Sequence, residues 1–322
     1  MFKTLIVLLS LLFSSLSHSQ VPVLNTSKKY PDTVKAGIYI ISIYDINFPG
    51  NQLNIDFYVW FNYKNDSLHL SKSFEVVNAK DFKISGESRE KYDTVIYETF
   101  RCNAVLKKKW DVTDFPFDYH ELQILIEDID LDLSKLVFIP DIKGTKIDKN
   151  VDVSNWWIKN SGVRVEENFY ETTYGDPTLA SNDYSKFSRL NFYFTLERKG
   201  TGLFLKLFVG LFIAVLISFL TFLINPLNLD PRFGLPVGAI FAAIASEYVI
   251  NSTLPETTTL TLVDILHNIS FIYIFLCILL STISLHLFER DKKEVSKKLD
   301  RYSFIILIST YFITVILLLT VK

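Results

Sequence analysis

The sequence predicts a β-sandwich domain followed by an all-α bundle of four membrane-crossing helices. Three observations predict it. Before about Leu203 the chain is a series of short β-branched and aromatic runs broken by turn residues, with almost no helical period. After that point come four apolar runs, each about the length that crosses a bilayer. The link between the last two runs, Glu289–Arg301, holds six Lys/Arg, as a cytoplasmic loop does.

Residues 1–19 read as a secretory signal. Lys3 supplies the positive start, Leu5 to Leu16 the short apolar core, and Ser17-His18-Ser19 the small-residue cleavage pattern. The mature chain is expected to begin near Gln20. Residues 20–200 then form a domain outside the cytoplasm, extracellular or periplasmic, and residues 201–322 the transmembrane domain.

Gly37–Ile46 and Asn54–Tyr63 read as strands joined by a turn at Pro49-Gly50-Asn51. Further strands are expected at Lys72–Asn78, Thr94–Lys107, His120–Glu127 and Val163–Phe169. Leu190–Glu197 is the clearest: Leu190, Phe192, Phe194 and Leu196 alternate with polar or wetter residues, which gives one buried face. Many short strands with turn signals suit a sandwich.

The spans are expected at about 203–224, 233–250, 262–288 and 302–321. With the β domain outside, four crossings put the charged link inside, so the signal and the loop charge agree. The expected location is a cell membrane, crossed several times. The second span differs from the rest. It is rich in Gly234, Gly238, Ala239, Ala242, Ala243, Ala245 and Ser246, and small residues let helix backbones approach closely. It reads as an inner helix. One subunit's four spans leave such a helix without a full shell, which points to a ring of copies.

Composition excludes several classes. A net charge of -2 over 322 residues offers no nucleic-acid surface. Cys102 and Cys277 lie in different halves and the five histidines are scattered, so neither a disulfide, a metal site nor a cofactor is expected. No nucleophile–base pair or glycine-rich phosphate loop suggests an enzyme.

One stretch is more specific. Trp110–Leu122 reads WDVTDFPFDYHEL, in which Pro116 forces Phe115 out of helical geometry and displays two phenyl rings on a turn. With the Gly37-Ile38-Tyr39 strand before it, Leu196-Glu197-Arg198 after it, four spans, and Leu254-Pro255 following the second span, this order resembles the pentameric ligand-gated ion channels, the Cys-loop receptor superfamily with its prokaryotic members. The likeness covers about Gly37 to Lys322. The two loop cysteines of animal receptors are replaced by Lys108 and Leu122.

The resemblance implies a homopentamer around a central pore, opened by an extracellular small-molecule ligand at subunit interfaces. It implies domain coupling through Phe115, Pro116, Phe117, Asp118 and Arg198, with Asp45 joining the Asp118–Arg198 pair and Leu254 and Pro255 on the membrane side. For the ligand it implies Tyr58, Trp60 and Arg101 on one side of the cleft. Phe74, Glu127, Asp128 and Asp130 fall on the other, and Tyr170, Tyr174 and Tyr184 on a capping loop. Aromatic faces with carboxylates suit an amine, whereas Arg101 suits a carboxylate. Aromatic residues make up 15% of the chain, so most of these rings are equally candidates for core.

Along the pore the resemblance places Gly234, Gly238, Phe241, Ala245, Tyr248 and Ser252, with Asp230 at the cytoplasmic mouth. A ring of Asp230 carboxylates would favour cations, monovalent ones above all, and a ring of Phe241 would gate by dewetting. Three features stand against it. Glycines replace hydroxyl residues, Pro236 can bend the helix, and Arg232 lies close enough in sequence to cancel the Asp230 field. Gly234 and Gly238 could equally form a packing face, and Glu247 faces either the pore or a neighbouring helix. The alternative function is a non-conducting membrane receptor or sensor of the same fold that signals through partners; a 13-residue inner loop offers such partners little surface.

Overall fold

Alternating apolar residues set the two faces of each strand in the N-terminal domain. In the computed structural model, which describes residues 30–177 and 184–321, β1 is Asp32–Asn47, β2 Gln52–Tyr63, β3 Phe74–Val76, β4 Ala79–Tyr92 and β5 Val95–Lys107. They are followed by β6 Tyr119–Asp128, β7 Leu136–Pro140, β8 Lys146–Ile147, β9 Trp156–Tyr170 and β10 Ser185–Arg198. One sheet runs β4-β5-β2-β1-β7, with β8 paired to β1, and the other runs β3-β6-β10-β9. The arrangement is sandwich-like. Leu53, Ile55, Phe57, Val59 and Phe61 of β2 turn inward, as do Leu190, Phe192, Phe194 and Leu196 of β10. Phe61 lies 5.3 Å from Phe74, 6.0 Å from Phe100 and 6.0 Å from Phe138 between ring centres. Each such buried ring contributes about 1.5–3 kcal/mol over its exposed state.

Four long helices follow: α1 Gly200–Phe219, continued by a 3-10 turn at Leu220–Leu223, α2 Leu229–Asn251, α3 Leu262–Glu289 and α4 Lys293–Val321. All are long and apolar enough to cross a membrane, and the chain is a multi-pass membrane protein. Thr261 opens α3 with a reciprocal capping box to Asp264. Polar side chains spaced along α3 tie the bundle together. Ser270 Oγ lies 2.9 Å from Tyr311 Oη of α4, Cys277 Sγ 3.6 Å from Ser218 Oγ of α1, and Ser284 Oγ 2.8 Å from Ser296 Oγ of α4. Such bonds hold helices where lipid gives apolar side chains no reason to associate.

The strand expected over Lys72–Asn78 is shorter than the sequence suggests. Leu70–Ser73 forms one helical turn and β3 keeps three residues. The fourth helix begins nine residues before the expected span, at Lys293, and the charged link shrinks to a turn at 290–292. Most of its charges stay exposed on the first helical turns, but Asp300 is buried. β4 was not expected, because it is charged and exposed nearly throughout; as a sheet edge it has only one strand to satisfy. The expected signal segment lies outside the described residues.

Candidate functional site

Three places carry the residues singled out in the sequence. The first is the junction of the two domains. Asp118, at the end of the FPFD turn, accepts two bonds from Arg198: Nε to Oδ1 at 2.6 Å and Nη2 to Oδ2 at 3.0 Å. His120 Nε2 reaches the same Oδ2 at 2.6 Å. The Arg198 guanidinium lies over Trp156 at 4.0 Å, Phe48 at 4.7 Å and Phe115 at 4.9 Å. Burial pushes the Asp118 carboxyl up, but the His120 and Arg198 bonds and charges outweigh it and hold it below the usual carboxylate range.

The FPFD turn is seated directly on the bundle. Leu262 N, at the start of α3, donates to Thr113 O at 2.9 Å, and Phe117 packs on Phe204 of α1 at 5.5 Å. A Cβ at Gly200 would stand 2.2 Å from the Pro116 carbonyl oxygen, so the first residue of α1 must be glycine for the turn to dock. Two expectations change here. Phe115 is buried beneath Arg198, so only Phe117 is displayed against the spans. Asp45 does not join the ion pair. It sits at φ 49° near the end of β1, at an irregularity in the β1–β2 register, and accepts from Asn54 Nδ2 at 3.1 Å, which turns it away from Arg198. It lines instead an open groove of about 610 Å³ with Asn47, Gln52 and Thr253, next to the buried Leu254-Pro255 link.

The second place is a cleft of about 890 Å³ on the β3-β6-β10-β9 sheet. Glu127, Asp128, Asp130, Tyr170, Tyr174 and Tyr184 all line it, with Glu75, Asp132, Lys135, Lys186 and Phe187. Residues 178–183 of the expected capping loop lie outside the described residues. Glu127 is buried at the cleft's base. It accepts from Arg189 Nε at 2.5 Å and from Tyr170 Oη at 2.9 Å, and Arg189 Nη2 donates to Tyr170 Oη at 3.1 Å. Burial, then the Glu127 carboxylate, pushes the Tyr170 hydroxyl up to about 12, so it remains a donor. Glu75 faces Glu127 across the β3–β6 pair; burial first, then the Glu127 charge, holds its carboxyl above the ordinary range. Lys186 lies over the Tyr184 ring at 5.0 Å, and Tyr174 packs edge-on against Tyr170 at 5.5 Å.

Several expected ligand residues are used elsewhere. Phe74 is buried among Phe61, Phe82 and Phe100, because β3 turns Phe74 and Val76 inward and Glu75 outward. Asp128 is buried and accepts from Ser73 Oγ and from the Asp130 and Leu131 amides, so it shapes its own loop. Trp60 donates to Asp141 at 3.3 Å and its ring fills the space a side chain at Gly37 would take. Tyr58 and Arg101 are register partners on β2 and β5, both exposed and both outside the cleft of the same chain. Glu75 and Arg189 were missed. Strand alternation was the available signal for Glu75, one residue beyond Phe74. His120 was also missed, although it shares parity with the inward Leu122, Ile124 and Ile126.

The third place is α2. Asp230, Gly234, Gly238, Phe241, Ala245, Tyr248 and Ser252 are all exposed. At about 100° per residue they fall within one stripe about 80° wide. Arg232, Pro236, Ala239, Ala243 and Ile250, on the opposite side, are buried against the bundle. A Cβ at Gly234 or Gly238 would meet no atom within 4 Å, so the two glycines are not a packing face among the described residues. Glu247 is half-buried and lies about 140° from the centre of that stripe. Arg232 corrects a further expectation. It is fully buried, donating Nη2 to Asp300 Oδ1 of α4 at 2.6 Å and Nη1 to Ile224 O at 2.6 Å, and so it faces away from Asp230.

No family model matches the chain, and none of the curated proteins does.

Proposed function

We propose that this chain is the subunit of a homopentameric, ligand-gated, cation-selective channel, with its β domain on the outer side of the membrane. The observation that carries the proposal is the bare stripe of α2. One side of the helix is packed and the other, with Asp230 at one end and Ser252 at the other, has no partner among the described residues. A ring of copies would enclose that stripe around water, with Asp230 carboxylates at the inner mouth to draw cations. The cleft supplies the trigger. Its carboxylates and tyrosine faces suit a cationic amine. Tyr58 and Arg101 of an adjacent copy would complete the pocket from the opposite sheet. The Asp118–Arg198 pair joins this domain to the FPFD turn on the bundle, so movement at the cleft has a stiff route to the spans.

The test is current through planar bilayers from purified protein, wild type beside Phe241→Ala, with mass measurement in mild detergent. Pentamers that pass current, with reversal potentials moving toward the cation equilibrium, support the proposal. A second reading, the non-conducting receptor, is favoured by two aromatic residues on the stripe: Phe241 and Tyr248 are 68% and 76% exposed and would narrow any lumen. Silence from both proteins as confirmed pentamers would favour that reading.

A further inference from the structure

Two opposite charges stand two residues apart at the start of α2, yet they serve different places. Residues so spaced on a helix point to different sides. Asp230 is exposed on the bare stripe. Arg232 is fully buried, and its side chain runs between helices to Asp300, which is itself 6% exposed. The backbone is held separately: Arg232 N donates to Asn228 O at 3.2 Å, and the Thr221 hydroxyl donates to Arg232 O. The guanidinium has a weaker hold. Among the described residues, Asp300 is its one carboxylate, Ile224 O takes a second N–H, and Nε has no partner.

We infer that Asp300, on α4 and off the bare stripe, is the positioning residue that keeps the cytoplasmic mouth negative by holding Arg232 inside the bundle. The inference rests on the pore proposed above. Without the Asp300 charge the Arg232 guanidinium is a buried cation with two neutral contacts at most. A long side chain near a helix end leaves such a site for water. Along its own helix the adjoining exposed position is Asp230, the opposite charge two residues away at the mouth. The backbone bonds stay, so the helix need not move. The carboxylate at the mouth is then offset by the cation, and the advantage of cations is lost. Charge preference at the pore is thereby set from α4, by a residue that never meets the ion.

The test reads local potential and needs no ion flow. Gly234→Cys is a suitable reporter, since its Cβ meets no atom within 4 Å and both native cysteines are buried. The full chain is placed in nanodiscs, and labelling rates are compared for a cationic and an anionic methanethiosulfonate. The parent should favour the cationic reagent. Asp300→Asn should lower the cationic-to-anionic ratio by about tenfold, the size expected for a unit charge brought within a few ångströms in water. Adding Arg232→Gln should restore it. An unchanged ratio in assembled Asp300→Asn protein would overturn the inference, as would an equal drop in the double variant. Should Asp300→Asn alone not fold, the double variant, which buries no unpaired charge, still decides. A ratio like the parent's supports a sequestered Arg232, whereas a clear rise shows that Arg232 was already acting at the mouth. Reversal potentials measured on the same proteins separate the two ideas. Silence that persists with Phe241→Ala added, together with the shifted ratio, counts against the pore and keeps the Asp300 role; cation-selective current with an unshifted ratio does the reverse.

Discussion

Removing the charge of Arg198 should sever the two domains energetically before it unfolds either. Asp118 is 3% exposed, and in Arg198→Met its carboxylate keeps only the His120 bond. Breaking a buried pair from one side costs about 3–5 kcal/mol, because the remaining charge is stranded. Asp118→Asn should cost a similar amount, since it strands Arg198 among Phe48, Phe115 and Trp156. The double variant strands neither charge. Its cost should fall short of the sum of the singles by about 2 kcal/mol or more. Thermal unfolding in detergent, followed by tryptophan fluorescence, is a suitable assay because Trp156 lies against the guanidinium. At about 2–4 °C per kcal/mol, each single variant should melt about 10 °C below wild type. On the channel proposed above, pentamers that survive should still bind ligand while currents are lost. Additive losses in the double variant would refute the argument, because they would mean that the two charges do not share one interaction. Wild-type ligand responses from well-folded Arg198→Met pentamers would refute the coupling role.

Three further outcomes follow from the same geometry. Gly200→Ala places a methyl carbon on the Pro116 carbonyl, so it should cost about 1–3 kcal/mol and lower the melting temperature, whereas Gly202→Ala, where a Cβ meets nothing within 4 Å, should not. The depressed Asp118 carboxyl contributes stability that is present above the ordinary carboxylate pKa and lost as pH falls through the lower folded value; melting curves should therefore show no Asp118-dependent loss from pH 8 to about 5, and a loss below about 4 that Asp118→Asn lacks. Glu75 has the opposite sign: its carboxyl is raised, so ionising it costs stability as pH rises through the raised value, and Glu75→Gln should flatten that slope; in wild type a bound amine should relieve the cost, read as tighter amine binding at higher pH by calorimetry.

The periodicities were legible in the sequence. Period-two alternation in β2 and β10 and the four apolar runs depend only on neighbours along the chain, and the structure follows them. The Asp118–Arg198 pair, 80 residues apart, was reachable only through the resemblance carried by the FPFD turn. What the sequence could not decide was which partner a polar side chain would choose. Phe74 and Glu75 are adjacent, and the one-residue register of β3 alone sends the ring to the core and the carboxylate to the cleft. Asp45 was free to meet Arg198 until the irregular end of β1 gave it to Asn54. Arg232 and Asp230 look like a cancelling pair when read along the chain. The long Arg232 side chain reaches Asp300 of α4, 68 positions on, inside the bundle, and the low-dielectric surroundings make that pairing obligatory once the arginine is inside. Local pattern fixes which face of an element is buried, and only the tertiary structure decides what that face meets.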